Sequence, residues 1–268
     1  MQEIATRPRY TIAVCKGSAL LDETKTLLRA WRPGESIHDF SARVLRDDLL
    51  GKSTAYRNRD IVRRVFARRL LLPDSKPARL LKHFLARASS AQVFSNLMLV
   101  YAARQDDLLR DVIAELYWPS FREGKLSLTT KHVIALLRDA EGDGRIPEPW
   151  SDGVKIRVAR GLVRALIDFG LLRQVGRGTP EMAHFQPADG AIVYLSYDLH
   201  FSGISDASVV SHRDWALFGL NQNAVAGVLD RLTACGWWTA QIAGSVSRIT
   251  WKFQSMERVV DALARQNI

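Results

Sequence analysis

Apolar residues in the first hundred positions recur every three or four residues, the spacing that holds them on one side of an α-helix. LLDETKTLLRAW (residues 20–31) shows it and stops before Pro33. SIHDFSARVLRDDLL (36–50) shows it again, with Ser36 as N-cap and Asp39 at capping-box spacing, Asp standing in place of Glu. In YRNRDIVRRVFARRLLL (56–72), a turn of about 100° per residue gathers Ile61, Val62, Val65, Phe66 and Leu70 on one face. Arg57, Arg64 and Arg68 form a stripe beside that face. Arg69 falls inside the apolar arc, where it needs a partner or must extend its head group to water. Another helix opens near Ser75 and Pro77. AQVFSNLMLVYAARQ (91–105) is apolar on so many sides that it is expected to cross the core of an N-terminal helical domain.

The middle of the chain reads helix, helix, helix, then strands. DDLLRDVIAELYW (106–118) ends ahead of Pro119. TTKHVIALLRDAEG (129–142) begins at a threonine cap and stops at Gly142, and SDGVKIRVARGLVRALIDFG (151–170) runs from Ser151 to Gly170. LLRQV (171–175), a polar turn with Gly176, Gly178 and Pro180, and AIVYLSY (191–197) then read as a two-stranded ribbon. Three helices followed by a ribbon whose loop is a wing is the order of a winged helix-turn-helix. Residues 211–253 repeat the corner. SHRDWALFGL has Ser211 and Asp214 at capping-box spacing, NQNAVAGVLDRLTACG (221–236) is a helix, and WWTAQIA and SRITWKF form a hairpin around Gly244 and Ser245. Gly161 and Gly227, Leu166 and Leu232, and Gly170 and Gly236 are matching positions in the two corners. The expected fold is mainly α: a helical domain over 1–104, then two winged helix-turn-helix-like units with small β-hairpins over 105–200 and 201–268.

Charge adds a direction. The formal net charge is +10, and residues 51–100 hold 11 Lys and Arg against only Asp60 and Asp74. Residues 101–150, by contrast, hold 7 against 9 acidic residues. Cations with few acids among them point to a polyanionic partner; a solvated helical face is the plainer use of the same residues. The candidates in this segment are Arg57, Arg59, Arg63, Arg64 and Arg68. In 151–170, Ile156, Ala159, Leu162, Val163, Leu166 and Ile167 share one arc, while Arg157, Arg160 and Arg164 lie within about 60° of one another on the adjacent face. A recognition helix needs such a stripe, because its outer side meets base edges and flanking phosphates. Arg177 stands in the wing. In the second unit Asn221, Gln222 and Asn223 open the corresponding helix, whose one cation is Arg231. Amides there can read adenine or cap the helix, and a protein partner fits this unit equally well. Trp237 and Trp238 read as core residues.

Other chemistry is excluded on spacing. DAEGDGRIPEPW (139–150) begins like a calcium loop but ends in Trp150, where the closing carboxylate is needed. Asp74 and the Glu123–Lys125 stretch have the residue types of a metal nuclease, yet both sit at helix ends. The six histidines show no paired ligand spacing, and Gly176–Gly178 lacks a phosphate-loop lysine. No apolar run approaches the roughly 18 residues of a membrane span, and the apolar stretch near the start is too short for a signal peptide. Cys15 and Cys235 make no metal-binding pair. A reduced cytoplasmic protein is expected, without catalytic residues, metal, cofactor, small-molecule substrate or membrane contact.

Four stretches carry a family resemblance. They are YTIAVCKGSALLDETKTLL (10–28), with Tyr10, Gly17, Leu20, Leu21 and Glu23, and DDLLGKSTAYRNRDIVRRVFARRL (47–70), where a leucine pair leads through Ser53 and Thr54 into the arginine-rich helix. LMLVYAARQDDLLRDVIAELYW (97–118) and VARGLVRALIDFGLL (158–172) complete the set. Together they resemble the BrxA family of bacterial BREX phage-exclusion systems, over roughly residues 10–200. The resemblance implies a mainly helical, non-enzymatic protein that binds double-stranded DNA and works beside other BREX proteins. The family has been likened to an RNA-binding antitermination protein, which keeps RNA as an alternative partner. A protein–protein adaptor of the defence complex and a nuclease are the rival classes.

Overall fold

The three-to-four-residue periodicity of the first hundred positions becomes helix, and most of the expected caps form. The computed structural model describes residues 10–17, 19–52, 54–87, 90–243 and 246–266. In chain order the helices are α1 (Leu21–Ala30), α2 (Ile37–Arg46), α3 (Ala55–Asp60), α4 (Ala67–Leu70), α5 (Lys76–Arg87), α6 (Ala91–Gln105), α7 (Asp107–Asp111), α8 (Trp118–Arg122), α9 (Thr130–Gly142), α10 (Asp152–Asp168), α11 (Asp189–Phe201), α12 (Asp206–Val210), α13 (Gln222–Ala234) and α14 (Met256–Gln266). Two π-helical turns, Ile61–Phe66 and Val112–Tyr117, join α3 to α4 and α7 to α8. Ala13–Lys16 and Arg213–Phe218 are 3-10 turns. The strands are β1 (Leu172–Arg173), β2 (Glu181–Met182), β3 (Trp238–Ala243) and β4 (Val246–Trp251). The chain is therefore mainly α-helical with two short hairpins. The residues gather into two units, one of 1–20 with 101–185 and one of 21–100 with 186–268. This grouping interleaves the three consecutive segments read from the sequence, and the division falls inside α6.

In the first unit, Thr129 opens α9, its backbone N–H donating to His132 Nδ1 at 3.0 Å. Glu141, near the end of α9, accepts from the Trp150 backbone N–H and from Lys155 Nζ, both at 2.9 Å. That hydrogen bond from Lys155 holds the Glu141 carboxyl below its usual range and ties the start of α10 to α9. Val158, Ala159, Leu162, Val163, Ala165 and Leu166 of α10 are buried. Gly161 lies against Val14 of the first 3-10 turn, which the β-carbon of an alanine here would meet at 3.6 Å, so the N-terminal segment packs on α10. Gly170, at φ +82°, turns the chain out of the helix, and the Leu171 N–H closes back on the Leu166 carbonyl at 2.9 Å, a glycine-ended C-cap. β1 then pairs antiparallel with β2, Leu172 opposite Met182 and Arg173 opposite Glu181. On the other side of β2, Ser127 bridges Glu181 and the Leu126 carbonyl accepts from the Met182 N–H at 2.9 Å.

The second unit is built on α11. Every residue from Gly190 to Leu199 is buried, and the Asn96 side chain accepts the Ala188 N–H at 2.9 Å where the helix begins. Tyr197 sits among the rings of Trp238, Trp251 and Phe253, at centroid distances of 5.8, 4.9 and 5.6 Å. Its hydroxyl donates to the Trp237 carbonyl at 2.5 Å and accepts the Lys252 and Phe253 N–H groups at 3.2 and 3.4 Å. Burial raises this phenol above its ordinary pKa. Tyr197→Phe strands a buried carbonyl and two N–H groups. It is expected to cost about 1–3 kcal/mol, read as a lower urea midpoint; an unchanged midpoint would show the hydroxyl to be idle. β3 and β4 pair in register from Trp238 opposite Trp251 to Ala243 opposite Val246. The expected turn residues Gly244 and Ser245 lie outside the described residues, as does Ser53.

Four sequence expectations change. AIVYLSY is not a strand but the middle of α11; an apolar run buried on all sides has no exposed face to reveal its period. The partner strand of β1 is Glu181–Met182, which lacks apolar alternation. The helix at 106–118 does not stop before Pro119 but continues into α8. The π-helical turn ahead of the proline has already moved the ladder to the fifth residue back, Trp118 N–H bonding the Ile113 carbonyl. Ser211 and Asp214 form no capping box: Ser211 closes α12, its hydroxyl donating to the Ala207 carbonyl at 3.1 Å. His212 caps the following 3-10 turn by accepting the Asp214 N–H at 3.2 Å.

Candidate nucleic-acid interface

α10 is packed by α9, by β1 and, at Gly161, by the first 3-10 turn, which leaves one strip of the helix to solvent. Arg157, Arg160 and Arg164 are all exposed there. Arg157 and Arg160 form no ion pair or hydrogen bond among the described residues, whereas Arg164 Nε lies 2.7 Å from Asp168 with its side chain 69% exposed. The apolar arc is narrower than the sequence wheel drew it. Ile156 is 39% exposed and Ile167 is half-buried, because both lie at the margin of the packed face. The exposed strip of this helix is thus arginine flanked by one isoleucine.

After β1, residues 174–180 form a tight loop. Gln174 Nε2 donates to the Gly176 carbonyl at 3.0 Å and to the Gly178 carbonyl at 2.8 Å. Arg177, between the two glycines, is exposed and unpaired among the described residues. Arg173 and Glu181 pair across the strands below it at 2.9 Å. Sequence reasoning found Arg177 but not Gln174, whose role depends on a fold-back only two to four residues long. A glutamine ahead of a Gly-Arg-Gly turn was the available signal.

In the second unit the arginine helix keeps its cations but not their expected alignment. Arg59, Arg63, Arg64 and Arg68 are exposed, while Arg57 is half-buried. The π-helical turn at Ile61–Phe66 inserts an extra step into the wheel, so a constant 100° per residue no longer places Arg57 with Arg64 and Arg68. Arg63 Nε donates to Ser41 Oγ at 3.2 Å, and Arg64 lies 3.2 Å from the buried Asp60. Arg69 is half-buried and has a partner. At the start of α13, the Asn221 side-chain oxygen accepts the Ala224 N–H at 2.9 Å and serves as the cap. Gln222 and Asn223 are exposed. Arg231 is held bidentate by Asp189 at 2.6 Å on both nitrogens. Trp237 and Trp238 are buried core residues.

The family model of BrxA matches residues 8–186. The chain belongs to the BrxA family. Membership makes it a component of a BREX phage-defence system. The match takes in the arginine helix, α10 and the loop at 174–180, and leaves α11 to α14 beyond it. Among solved structures the chain is similar to an uncharacterized protein from Magnetospirillum magneticum, with a TM-score of 0.59 and 19% identity over 72% of this chain and 95% of that one, a likeness of fold alone. No curated protein matches the chain. No helix among the described residues is long and apolar enough to cross a membrane.

Proposed function

We propose that this BrxA-family chain is a non-catalytic double-stranded DNA-binding component of its defence system, and that its first unit is a winged helix with α10 as the recognition helix. The observation that carries the reading is the solvent face of α10: three exposed arginines on one side of a rigid helix, next to a short two-stranded loop that presents a fourth. Helix α9, helix α10, hairpin and loop stand in winged-helix order, and the segment at 126–127 lies alongside β2 as the third strand of such a fold does. Guanidinium groups suit the task because they bind phosphate oxygens or the guanine edge through paired N–H groups. Arg59, Arg63, Arg64 and Arg68 of the second unit supply further phosphate contacts. The deciding measurement is an affinity titration of the full chain against duplex DNA, single-stranded DNA and RNA at several salt concentrations, with a plasmid-cleavage control. Duplex binding that falls steeply with salt and leaves the plasmid intact supports the reading; tighter binding to RNA, or cleavage, replaces it.

The arginine helix has its own expected result. Replacing Arg59, Arg63, Arg64 and Arg68 with alanine is expected to weaken binding to every duplex alike and to lower the salt slope by about 0.9 for each phosphate no longer neutralised. A slope identical to that of the native chain takes this helix out of the interface. A protein-contact reading holds for α13 on one specific observation: its outward positions carry the exposed Asp230, while Arg231 is occupied by Asp189. That surface offers a phosphate little.

A further inference from the structure

The loop at 174–180 is built more tightly than its glycine content requires. Gly176 has φ +56°, and the Gly178 N–H closes onto the Val175 carbonyl at 3.2 Å. One amide nitrogen, Gln174 Nε2, holds the carbonyls of Gly176 and Gly178, the residues on either side of Arg177. The Arg173–Glu181 pair fixes the strands beneath and neutralises the other cation of the hairpin. The result is a slender tip: an arginine with no side chain on either neighbour, flanked by Val175, which is 48% exposed.

We propose that this loop is a minor-groove probe with a preference for base pairs lacking the guanine 2-amino group, Arg177 being the inserted side chain and Gln174 the residue that positions it. The proposal rests on the duplex-DNA reading above and specifies its substrate class. The minor groove is only about 6 Å wide, half the width of the major groove, so a tip bare of neighbouring side chains is what enters it. Where the guanine 2-amino group is missing, an arginine meets only acceptors on the groove floor. Where the groove is also narrow, its negative potential is enhanced and attracts arginine. A loop held in its bound shape before the ligand arrives loses less entropy on binding, which is the use of the Gln174 clamp. Val175 gives the tip an apolar flank suited to the deoxyribose walls.

Alternating inosine–cytosine and guanine–cytosine duplexes of equal length separate the grooves. They share one major-groove pattern, differ in the minor groove by the 2-amino group, and offer it at every step, so the binding register does not matter. By fluorescence anisotropy the native full-length chain is expected to bind the inosine duplex about fivefold or more tighter, the size of one good base contact. Arg177→Ala is expected to abolish that ratio. Gln174→Ala and Gln174→Glu, which cannot donate to the two carbonyls, are expected to shrink it with the melting temperature unchanged. Equal native affinity for both duplexes overturns the minor-groove assignment while leaving DNA binding intact. No duplex binding at all removes the DNA reading and this proposal with it. Full preference in both Gln174 variants ends the positioning role.

Discussion

Arg145→Ala is expected to destabilise the first unit by about 3 kcal/mol, near the lower end of the range for breaking a buried ion pair. Arg145 Nη1 donates to the Tyr10 hydroxyl at 2.7 Å and to Glu115 at 2.9 Å, and lies 3.7 Å from Asp111. Nη2 lies 2.7 Å from Asp143, and the guanidinium stands 5.2 Å from the centre of the Tyr10 ring. These partners are not equivalent. Glu115 and Asp143 are half exposed, and such pairs contribute little on their own. Asp111 is different: its side chain is 6% exposed and accepts the Tyr10 hydroxyl at 2.7 Å. Burial first, then the hydrogen bond to Asp111, raises the Tyr10 phenol above its ordinary range, so it stays a neutral donor. Without the guanidinium, the buried Asp111 carboxylate and the Tyr10 phenol lose the cation that faces them both. The damage also reaches the proposed interface, because Tyr10 leads into the 3-10 turn that lies on Gly161 of α10. Urea unfolding of Arg145→Ala beside Glu115→Gln checks the account. The second change is expected to cost under about 1 kcal/mol, and equal destabilisation in the two variants would put the energy in the exposed pairs instead.

None of that network was legible in the sequence. Tyr10 lies 101 residues from Asp111 and 135 from Arg145 along the chain, and local spacing carries no sign of such a meeting. What was legible was local: the Ser36 cap, where the hydroxyl accepts the Asp39 N–H at 3.1 Å, the end of α10 at Gly170, and the arginine stripe of α10. Each depends on neighbours within one or two helical turns. The arginine helix shows where local reasoning fails. Its periodicity does mark a helix, but a constant step does not carry across the π-helical turn, and Arg57 is half-buried while Arg59 and Arg63 are exposed. α11 fails for the opposite reason: with every side buried, the helix leaves no polar positions to mark its period. α12 and α14 were not anticipated, α12 because five residues are too few to show a period.

Replacing Arg157, Arg160 and Arg164 together with alanine is expected to weaken duplex binding more than removing the arginines of the second unit does. All three side chains point to solvent, so the folded unit loses no packing, and the melting temperature is expected to stay near that of the native chain. Leu162→Ala, on the buried side of the same helix, is the opposite control: it is expected to cost about 2–5 kcal/mol of stability, with any weakening of binding following from unfolding. The three arginines are not equal. Arg157 and Arg160 have no intramolecular partner among the described residues, so binding phosphate or base sacrifices nothing. Arg164 must leave Asp168, 2.7 Å away. That i,i+4 helix pair is worth about 0.3–0.5 kcal/mol, which makes Arg164→Ala the mildest single change and Asp168→Asn a slight gain in affinity. If Arg157 or Arg160 reads a guanine edge, its replacement is expected to cost about 1–3 kcal/mol at one base position. If both touch only phosphate, every sequence weakens alike and the salt slope falls by about 0.9 for each phosphate left without its arginine. Duplex titrations at four salt concentrations, run on each single variant and on the triple, separate these cases. A well-folded triple variant that binds duplex as the native chain does would reject α10 as the recognition helix and leave its arginines as a solvated face.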